Sequence, residues 1–283
     1  MPAAEAAEFA IGPAPVLRGE AAGEGAPIVL CHGLTASRRY VVHGSRALER
    51  AGHRVVTYDA RGHGESDPAP ADQSYGYPEL IADLERVVEA EIGPSERFLL
   101  GGHSMGAHTA VGYALAHPER LSGLVIIGPT YVGEISEAAL AYWDGLASAL
   151  EEGGIDGFVE YLRRNGGTGE AWRDAVMRIS AERMGLHRNP RGLARALRET
   201  PASRPFGSLE ELAGLDVPAL VVASGDEADP GHPYAVAEAY AASLPRARLI
   251  SEDEGQSPLA WQGGRLSREI SLFALEPDVA LSR

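Results

Sequence analysis

The chain has 283 residues, 45% of them hydrophobic, a formal net charge of −15 at pH 7 and a single cysteine. One cysteine excludes an intrachain disulfide and a cysteine metal cluster, and the negative charge argues against nucleic acid or an anionic membrane as partner. Because no apolar run is long enough to span a bilayer and the acidic N-terminus lacks the basic region of a signal peptide, we expect a cytoplasmic protein.

Extended apolar segments alternate with helical ones along most of the chain. The predicted strands are Phe9–Ile11, Val16–Arg18, Ile28–Cys31, Arg54–Tyr58, Phe98–Gly101, Leu124–Ile127, Ala219–Ala223 and Arg248–Ile250. The predicted helices are Arg38–Ala51, Pro78–Ile92, Met105–Ala116, Pro233–Ser243 and Gln262–Ala274. Short runs bounded by Gly or Pro are typical of buried parallel strands. The alternation therefore predicts an α/β fold, with a mostly parallel eight-stranded sheet and helices on both faces.

The first polar motif, His32-Gly33-Leu34-Thr35, directly follows the strand Ile28–Cys31. Acyl transfer needs two backbone N–H groups aimed at the developing oxyanion. We expect Leu34 to supply one of them and Met105 the other, and Gly33 lets the backbone approach closely. A structural histidine is the ordinary explanation for His32.

The next strand ends in a segment rich in glycine and charge, from Tyr58 to Asp67. It is predicted to form a fixed loop at the top of the sheet. The expected role of Asp59 and Arg61 is architectural, pinning the loops around the site.

The sequence Gly102-His103-Ser104-Met105-Gly106 lies between the strand Phe98–Gly101 and the helix Met105–Ala116. Strand, sharp turn and helix form the context of a nucleophile elbow, in which small residues allow the backbone to hold a strained serine. Ser104 is therefore the candidate nucleophile.

The strand signal disappears between residues 133 and 205, where helical patterns dominate. The predicted helices there are Glu137–Leu150, Ile155–Arg164, Glu170–Gly185 and Arg191–Glu199. We interpret 133–205 as a helical cap inserted into a core formed by 1–132 and 206–283. Tyr142, Trp143, Phe158 and Trp172 are candidates to line an apolar substrate pocket, although aromatic residues at helical spacing more often form core.

These motifs, in this order and spacing, resemble the α/β-hydrolase superfamily over nearly the whole chain. The resemblance implies an α/β-hydrolase fold with a variable cap, an acid after the next strand and a histidine base after the last strand. Of the acids in Gly225-Asp226-Glu227-Ala228-Asp229-Pro230, Asp229 has the expected spacing to Pro233, and Asp226 and Glu227 are the alternatives. The place of the histidine is taken by Gln256.

Glutamine cannot act as a base near neutral pH, so Gln256 predicts impaired activity. Three explanations stay open: a hydrolase disabled to trap a ligand, another histidine acting as base, or a protein that is naturally non-hydrolytic. The possible substitute bases are His232, His63 and His32. His232 lies in the acid loop, although its rigid Pro-Gly-His-Pro frame favours a ring turned outward.

The residues favour a serine hydrolase, esterase-like and atypical or inactive, acting on a carboxylic ester, thioester or lactone through an acyl-enzyme. The alternatives are a small-molecule binding protein on the same scaffold, or a cofactor-independent lyase or C–C hydrolase. We expect a small apolar or ester-type substrate, no cofactor, no metal, no nucleic-acid or membrane partner, and a monomer or homodimer.

Overall fold

The computed structural model describes residues 6–227, 229–253, 255–256, 261 and 263–281. The strands in these ranges are β1 (Ala7–Ile11), β2 (Leu17–Ala22), β3 (Ala26–Cys31), β4 (His53–Tyr58), β5 (Phe98–His103), β6 (Leu121–Ile127), β7 (Ala219–Ala223) and β8 (Ala247–Ser251). The helices are α1 (Ala47–Arg50), α2 (Tyr77–Glu91), α3 (Met105–Ala116), α4 (Glu137–Asn165), α5 (Glu170–Met184), α6 (Pro190–Glu199), α7 (Tyr234–Ser243) and α8 (Gly264–Ala274).

Within the described ranges the strands form one eight-stranded sheet in the order β1-β2-β4-β3-β5-β6-β7-β8. The first two strands pair antiparallel, as do β2 and β4, and every other pair is parallel. Parallel pairing requires crossover connections, which the helices supply. The predicted mostly parallel sheet is confirmed, and the carboxyl ends of β3, β5, β6 and β7 meet at one edge.

Successive residues of the central strands pack into two different cores, because side chains alternate across a sheet. Leu100 and Ile126 join residues of α2, α3 and α7 on one face. Leu99 and Val125 join residues of α1 and α8 on the other. These two clusters show that helices cover both faces of the sheet, as predicted. Each fully buried side chain of this size contributes roughly 1.5–3 kcal/mol of transfer free energy to the stability of its core.

The helix predicted over Arg38–Ala51 is largely absent. The structure has a 3₁₀ turn at Arg38–Tyr40 and only the short α1 at Ala47–Arg50. Between them His43 has φ of 47° and Gly44 has φ of 72°, backbone angles that a right-handed helix cannot contain. The apolar pattern was compatible with a helix, but two left-handed residues in succession interrupt it.

The insertion between β6 and β7 consists of α4, α5 and α6. The two helices predicted at Glu137–Leu150 and Ile155–Arg164 make up α4, and they meet at a kink at Gly154, where φ is 62° and ψ is −148°. A kink at glycine is expected, since only glycine adopts such angles without strain. Across the described part of the chain, no helix combines the length and apolar character that crossing a bilayer would take.

Candidate active site

Ser104 lies between β5 and α3, at the sharp turn that the sequence predicted. Its φ is 53° and its ψ is −116°, a conformation that non-glycine residues rarely adopt. The Ser104 amide donates to the carbonyl of Ile127 over 2.9 Å, which ties the turn to β6. The strained serine is thus held by the sheet on one side and begins a helix on the other, as in a nucleophile elbow.

The two glycines of the motif are required by close backbone contact. A Cβ at Gly102 would lie 2.1 Å from the Gly106 carbonyl oxygen, and a Cβ at Gly106 would lie 2.1 Å from the Cys31 carbonyl oxygen. Real Cβ atoms do not approach so closely, so any side chain there would force the strand and helix apart. These contacts explain the Gly-x-Ser-x-Gly spacing physically.

The loop after β3 holds the peptide whose N–H is the predicted oxyanion donor. The Ala60 amide donates to His32 Nε2 over 2.9 Å, so Nδ1 carries the proton and donates to the Gly33 carbonyl over 2.8 Å. That carbonyl and the Leu34 N–H belong to one planar peptide and point in opposite directions. His32 therefore fixes the direction of the Leu34 N–H.

His63 supports the next peptide of the same loop. Its Nε2 lies 2.6 Å from the Leu34 carbonyl and its Nδ1 lies 2.9 Å from the Arg61 carbonyl. Burial lowers the pKa of His63 below 6.5, and it lowers the pKa of His32 to about 3. A backbone group lies against both nitrogens of each ring, although a neutral His63 donates to only one of its two carbonyls, so neither histidine has an open nitrogen for Ser104.

Asp59 and Arg61, for which an architectural role was predicted, each have buried partners. Asp59 Oδ1 accepts the Arg38 amide over 2.8 Å, and Asp59 Oδ2 accepts the Glu65 amide over 3.0 Å and pairs with the Arg38 guanidinium. Arg61 donates to both oxygens of Asp83, over 2.7 and 2.9 Å. These ion pairs join the loops after β3 and β4 to α2.

The helical insertion packs on the elbow end of the sheet. One apolar cluster contains Leu34 and Met105 together with Leu146 and Phe158 of α4 and with Met184 at the end of α5. Both predicted oxyanion residues thus share one buried apolar cluster with side chains of the insertion.

Of the predicted pocket residues, Phe158 is buried in this cluster, and Tyr142 and Trp143 pack against it partly exposed. Burial, with the neighbouring Tyr161, raises the pKa of Tyr142 to about 12. Trp172 is half-buried and lies outside this cluster.

The acid loop after β7 contains an Asp–His pair. Asp229 Oδ2 lies 2.8 Å from His232 Nδ1. The His232 ring is turned inward rather than outward: it lies 4.9 Å from the His103 ring, centroid to centroid, and its Cγ lies 3.2 Å from the position of a Cβ on Gly128. Gly128 directly follows Ile127, whose carbonyl accepts the Ser104 amide, so this ring is adjacent to the elbow.

Electrostatics within this pair favour the ionised forms. Burial alone would lower the pKa of His232, but the Asp229 carboxylate outweighs it and raises that pKa above 6.5. Burial alone would likewise raise the pKa of Asp229, but His232, His103 and Arg183 together lower it to about 2. Asp229 is therefore a carboxylate over the whole range in which a histidine titrates.

The other acids of this loop have different surroundings. Asp226 is exposed and accepts the Tyr234 amide over 2.7 Å at the start of α7. Glu227 is also exposed. Neither has a histidine partner among the described residues, whereas Asp229 does.

Gln256 lies at the surface, beyond β8. Its amide nitrogen is 3.4 Å from Asp253 Oδ2, and its amide oxygen accepts from Arg265 of α8. Within the described part of the chain its side chain has no hydrogen bond to Ser104, Asp229 or His232. The neighbouring residues 257–260 lie outside the described residues, so the base position that the resemblance assigns to Gln256 stays a prediction.

Two residues without an assigned role also lie at this site. His103 sits between Gly33 and His232, and burial and the charge of His232 lower its pKa well below 6.5. Arg183, in the last turn of α5, interacts electrostatically with Asp229. The position of His103 beside Ser104 was visible in the sequence, whereas nothing there distinguished Arg183 from the other arginines of the insertion.

Comparison with known proteins identifies the family of the fold. The family model described as alpha/beta hydrolase fold matches residues 26–262. The chain belongs to the α/β-hydrolase fold family. Among solved structures, a thermophilic esterase from Thermogutta terrifontis with malate bound superposes with a TM-score of 0.74 at 24% identity, covering 98% of this chain and all of that one. An esterase from Exiguobacterium antarcticum also gives 0.74, at 20% identity, covering 94% of this chain and 99% of that one. At such identities the likeness supports the fold.

Curated relatives match over shorter segments. Epoxide hydrolase B of Mycobacterium tuberculosis is 36% identical over 110 residues, which is 39% of this chain and 30% of that protein. The 2-hydroxy-6-oxononadienedioate/2-hydroxy-6-oxononatrienedioate hydrolase 2 of Pseudomonas putida is 39% identical over 110 residues, 38% of this chain and 37% of that protein. The matches thus span about a third of these relatives, which are hydrolases of different substrates.

Proposed function

We propose that this protein is a serine hydrolase that cleaves small carboxylic esters, thioesters or lactones, with Ser104 as nucleophile and His232, oriented by Asp229, as general base. The observation that carries the proposal is the 2.8 Å contact between His232 Nδ1 and Asp229 Oδ2 beside the elbow. A nucleophile, a base and a carboxylate that orients the base are the three parts of a serine triad.

The chemistry would run in two steps. His232 Nε2 takes the proton from Ser104 Oγ as the oxygen attacks the carbonyl carbon, and the N–H groups of Leu34 and Met105 stabilise the oxyanion. The alcohol, thiol or ring oxygen leaves with the proton from His232, and a water activated by His232 then releases the acid from Ser104. Asp229 keeps Nδ1 protonated, so that Nε2 is the basic nitrogen.

Two features support His232 over the other candidate bases. Backbone groups occupy both nitrogens of His32 and of His63, whereas His232 meets Asp229 through Nδ1 alone. Gln256 bonds instead to Asp253 and Arg265 at the surface. The relatives are named as epoxide, dienedioate and ester hydrolases, which supports hydrolysis of a small substrate but not a particular bond.

The test compares His232→Gln with Gln256→Ala, using a p-nitrophenyl ester and stopped-flow detection of the burst. His232→Gln should lower kcat by about 10²–10⁴, the usual worth of a general base. Gln256→Ala should change kcat by less than about threefold, as surface substitutions do. His117→Gln, on a half-buried histidine at the end of α3, is the matched control for replacing a histidine.

Mass spectrometry of the intact protein during turnover should find the acyl group on Ser104. If His232→Gln retains full activity, His232 is not the base. If the wild type neither turns over nor becomes acylated but binds esters or lactones tightly, the alternative of a non-hydrolytic binding protein replaces the proposal. In that case Gln256 would mark a lost base.

A further inference from the structure

Arg183 is a partly buried cation without a matching anion among the described residues. Its Nε atom is buried and has no hydrogen-bond partner, and its side-chain bond to Ser180 Oγ is long, at 3.4 Å. No carboxylate in the described part of the chain lies within 4.0 Å of its guanidinium. The buried arginines Arg38 and Arg61, in contrast, pair closely with Asp59 and Asp83.

An unpaired buried guanidinium is costly, because it has lost hydration without gaining a partner. Burial lowers the pKa of Arg183 below 12.5, and only the more distant Asp229 and Tyr40 oppose that effect. Arginine stays charged even so, since its ordinary pKa lies far above neutrality. The fold nevertheless holds the Arg183 charge in this position, which points to an anionic group supplied by a bound ligand.

Residues that follow Arg183 in the chain pack against the loops after β3 and β4. Met184 packs in the cluster that contains Leu34 and Met105. His187 Nδ1 accepts the Gly64 amide over 2.9 Å, and its ring lies 5.7 Å from that of His63. The end of α5 is therefore fixed against the oxyanion loop.

The charge of Arg183 acts on several groups around the elbow. It adds to the burial that lowers the pKa values of His43 and His103. It also opposes the rise in the pKa of His232 and helps to lower that of Asp229. These effects agree with the packing of the neighbouring Met184 beside Leu34 and Met105, which places the end of α5 close to the elbow.

Asp229 does not serve as the anion for Arg183. Its Oδ2 is engaged by His232, and no ion pair with Arg183 forms within 4.0 Å among the described residues. The only hydrogen bond of the guanidinium among the described residues is the long one to Ser180 Oγ. A small planar anion is the group that would complete its hydrogen bonding.

We propose that Arg183 binds a carboxylate on the acyl part of the substrate, so that the preferred substrates are esters, thioesters or lactones of small dicarboxylic acids. This inference rests on the proposed function for its reaction, but the binding of the carboxylate does not depend on turnover. A guanidinium matches a carboxylate in a planar, two-bond geometry, which a single arginine satisfies without further cations.

The expected consequence is a strong preference for charged acyl groups. A site built around an unpaired cation disfavours a neutral substrate, because the neutral acyl chain leaves the cation buried and unsatisfied. The nearly neutral insertion, with ten arginines and eleven acidic residues between 133 and 205, also repels an anion less than the strongly acidic remainder of the chain does.

The experiment compares the mono-p-nitrophenyl ester of glutaric acid with p-nitrophenyl valerate, which has the same acyl length without the charge. The wild type should show a higher kcat/KM for the glutarate ester. In Arg183→Gln the ratio of the two kcat/KM values should fall by about 10²-fold or more, mainly through KM. Both esters are assayed at one pH in each variant, so that a change in the protonation of His232 affects both kcat/KM values and cancels in their ratio.

Arg178→Gln is the matched control, because Arg178 is exposed on the same helix and should leave the ratio unchanged. Arg183→Lys should restore part of the preference, since an ammonium retains the charge without the planar fork. If Arg183→Gln fails to fold, as judged by circular dichroism, Arg183→Lys and the wild-type preference decide the question. An equal kcat/KM for the two esters in the wild type would overturn the proposal.

Calorimetric titration with glutarate separates this inference from the proposed function. If the wild type hydrolyses neither ester but binds glutarate, and Arg183→Gln weakens that binding by about tenfold or more, the carboxylate site stands while hydrolysis fails. If both esters are hydrolysed but glutarate binds equally to both proteins, the carboxylate site fails while hydrolysis stands.

Discussion

The loops on the two sides of Ser104 are held by different kinds of contact. On the oxyanion side, buried side chains bond to the backbone of several loops, as His32 does to Gly33 and Ala60 and as Asp59 does to Arg38 and Glu65. On the acid side, the essential contact is one pair three residues apart in a single loop, Asp229 and His232. A network that joins distant segments tolerates little sequence change, whereas a local pair can be rearranged within its own loop.

The largest effect is expected from a change at Ser104, which lies between the two sides. Ser104→Ala removes the nucleophile but none of the surrounding hydrogen bonds, because the described structure gives the Ser104 hydroxyl no hydrogen-bond partner. Turnover of p-nitrophenyl esters should fall by about 10³–10⁶, with only the oxyanion hole and binding left to accelerate the reaction. Steady-state kinetics and thermal melting measure both outcomes, and an active Ser104→Ala protein would remove the serine mechanism.

The acid side is tested by Asp229→Asn. The amide cannot stabilise the imidazolium, so kcat should fall by about 10²–10⁴. The pH profile gives the sharper result, since neutral imidazole is the working base. In the wild type, activity should rise with pH through a midpoint above 6.5, because Asp229 raises the pKa of His232.

Without that carboxylate, burial lowers the pKa of His232, so the rise should move to lower pH in Asp229→Asn. Asp226→Asn, on an exposed acid of the same loop, is the control and should leave the midpoint unchanged. A midpoint that stays in place when Asp229 is changed would show that another group controls the profile.

The oxyanion side is tested through stability. Asp83→Ala leaves the Arg61 guanidinium buried without its carboxylate, and breaking such a pair costs about 3–5 kcal/mol of unfolding free energy. Urea denaturation measures the change. Glu160→Ala, which removes an exposed partner of Arg164, should cost no more than about 1 kcal/mol. Equal losses in the two variants would mean that the buried network does not hold these loops.

The two sides of Ser104 also differ in how much of their structure could be predicted from the sequence. The strand, turn and helix around Ser104 were predictable, because they form a contiguous motif whose glycines are required by contacts as close as that of Gly106 with Cys31. The oxyanion role of Leu34 and Met105 stays a prediction. The sheet followed from short apolar runs with two buried faces. The helix expected at Arg38–Ala51 was wrong, because the left-handed angles at His43 and Gly44 have no clear signal in the local pattern.

The acid side was harder to predict because its contacts are decided by side-chain direction. The family spacing singled out Asp229, but the Pro-Gly-His-Pro frame favoured an outward His232, whereas the ring packs inward against His103. Arg183 could not be found at all from the sequence. Its significance lies in the absence of a carboxylate partner within the described structure, which no residue pattern encodes.

The smallest expected effect separates the two assignments of the base. If His232 is the base, Gln256→His should change kcat by less than about threefold, because residue 256 is exposed and bonded to Asp253 and Arg265 rather than to Asp229. If the family position is the functional one, the same substitution should raise kcat by several decades, since the nucleophile, the oxyanion donors and the acid would lack only a proton acceptor. The double variant His232→Gln/Gln256→His decides between them. Activity restored in the double variant would assign the base to the loop after β8, and an inactive double variant that folds normally would assign it to the acid loop.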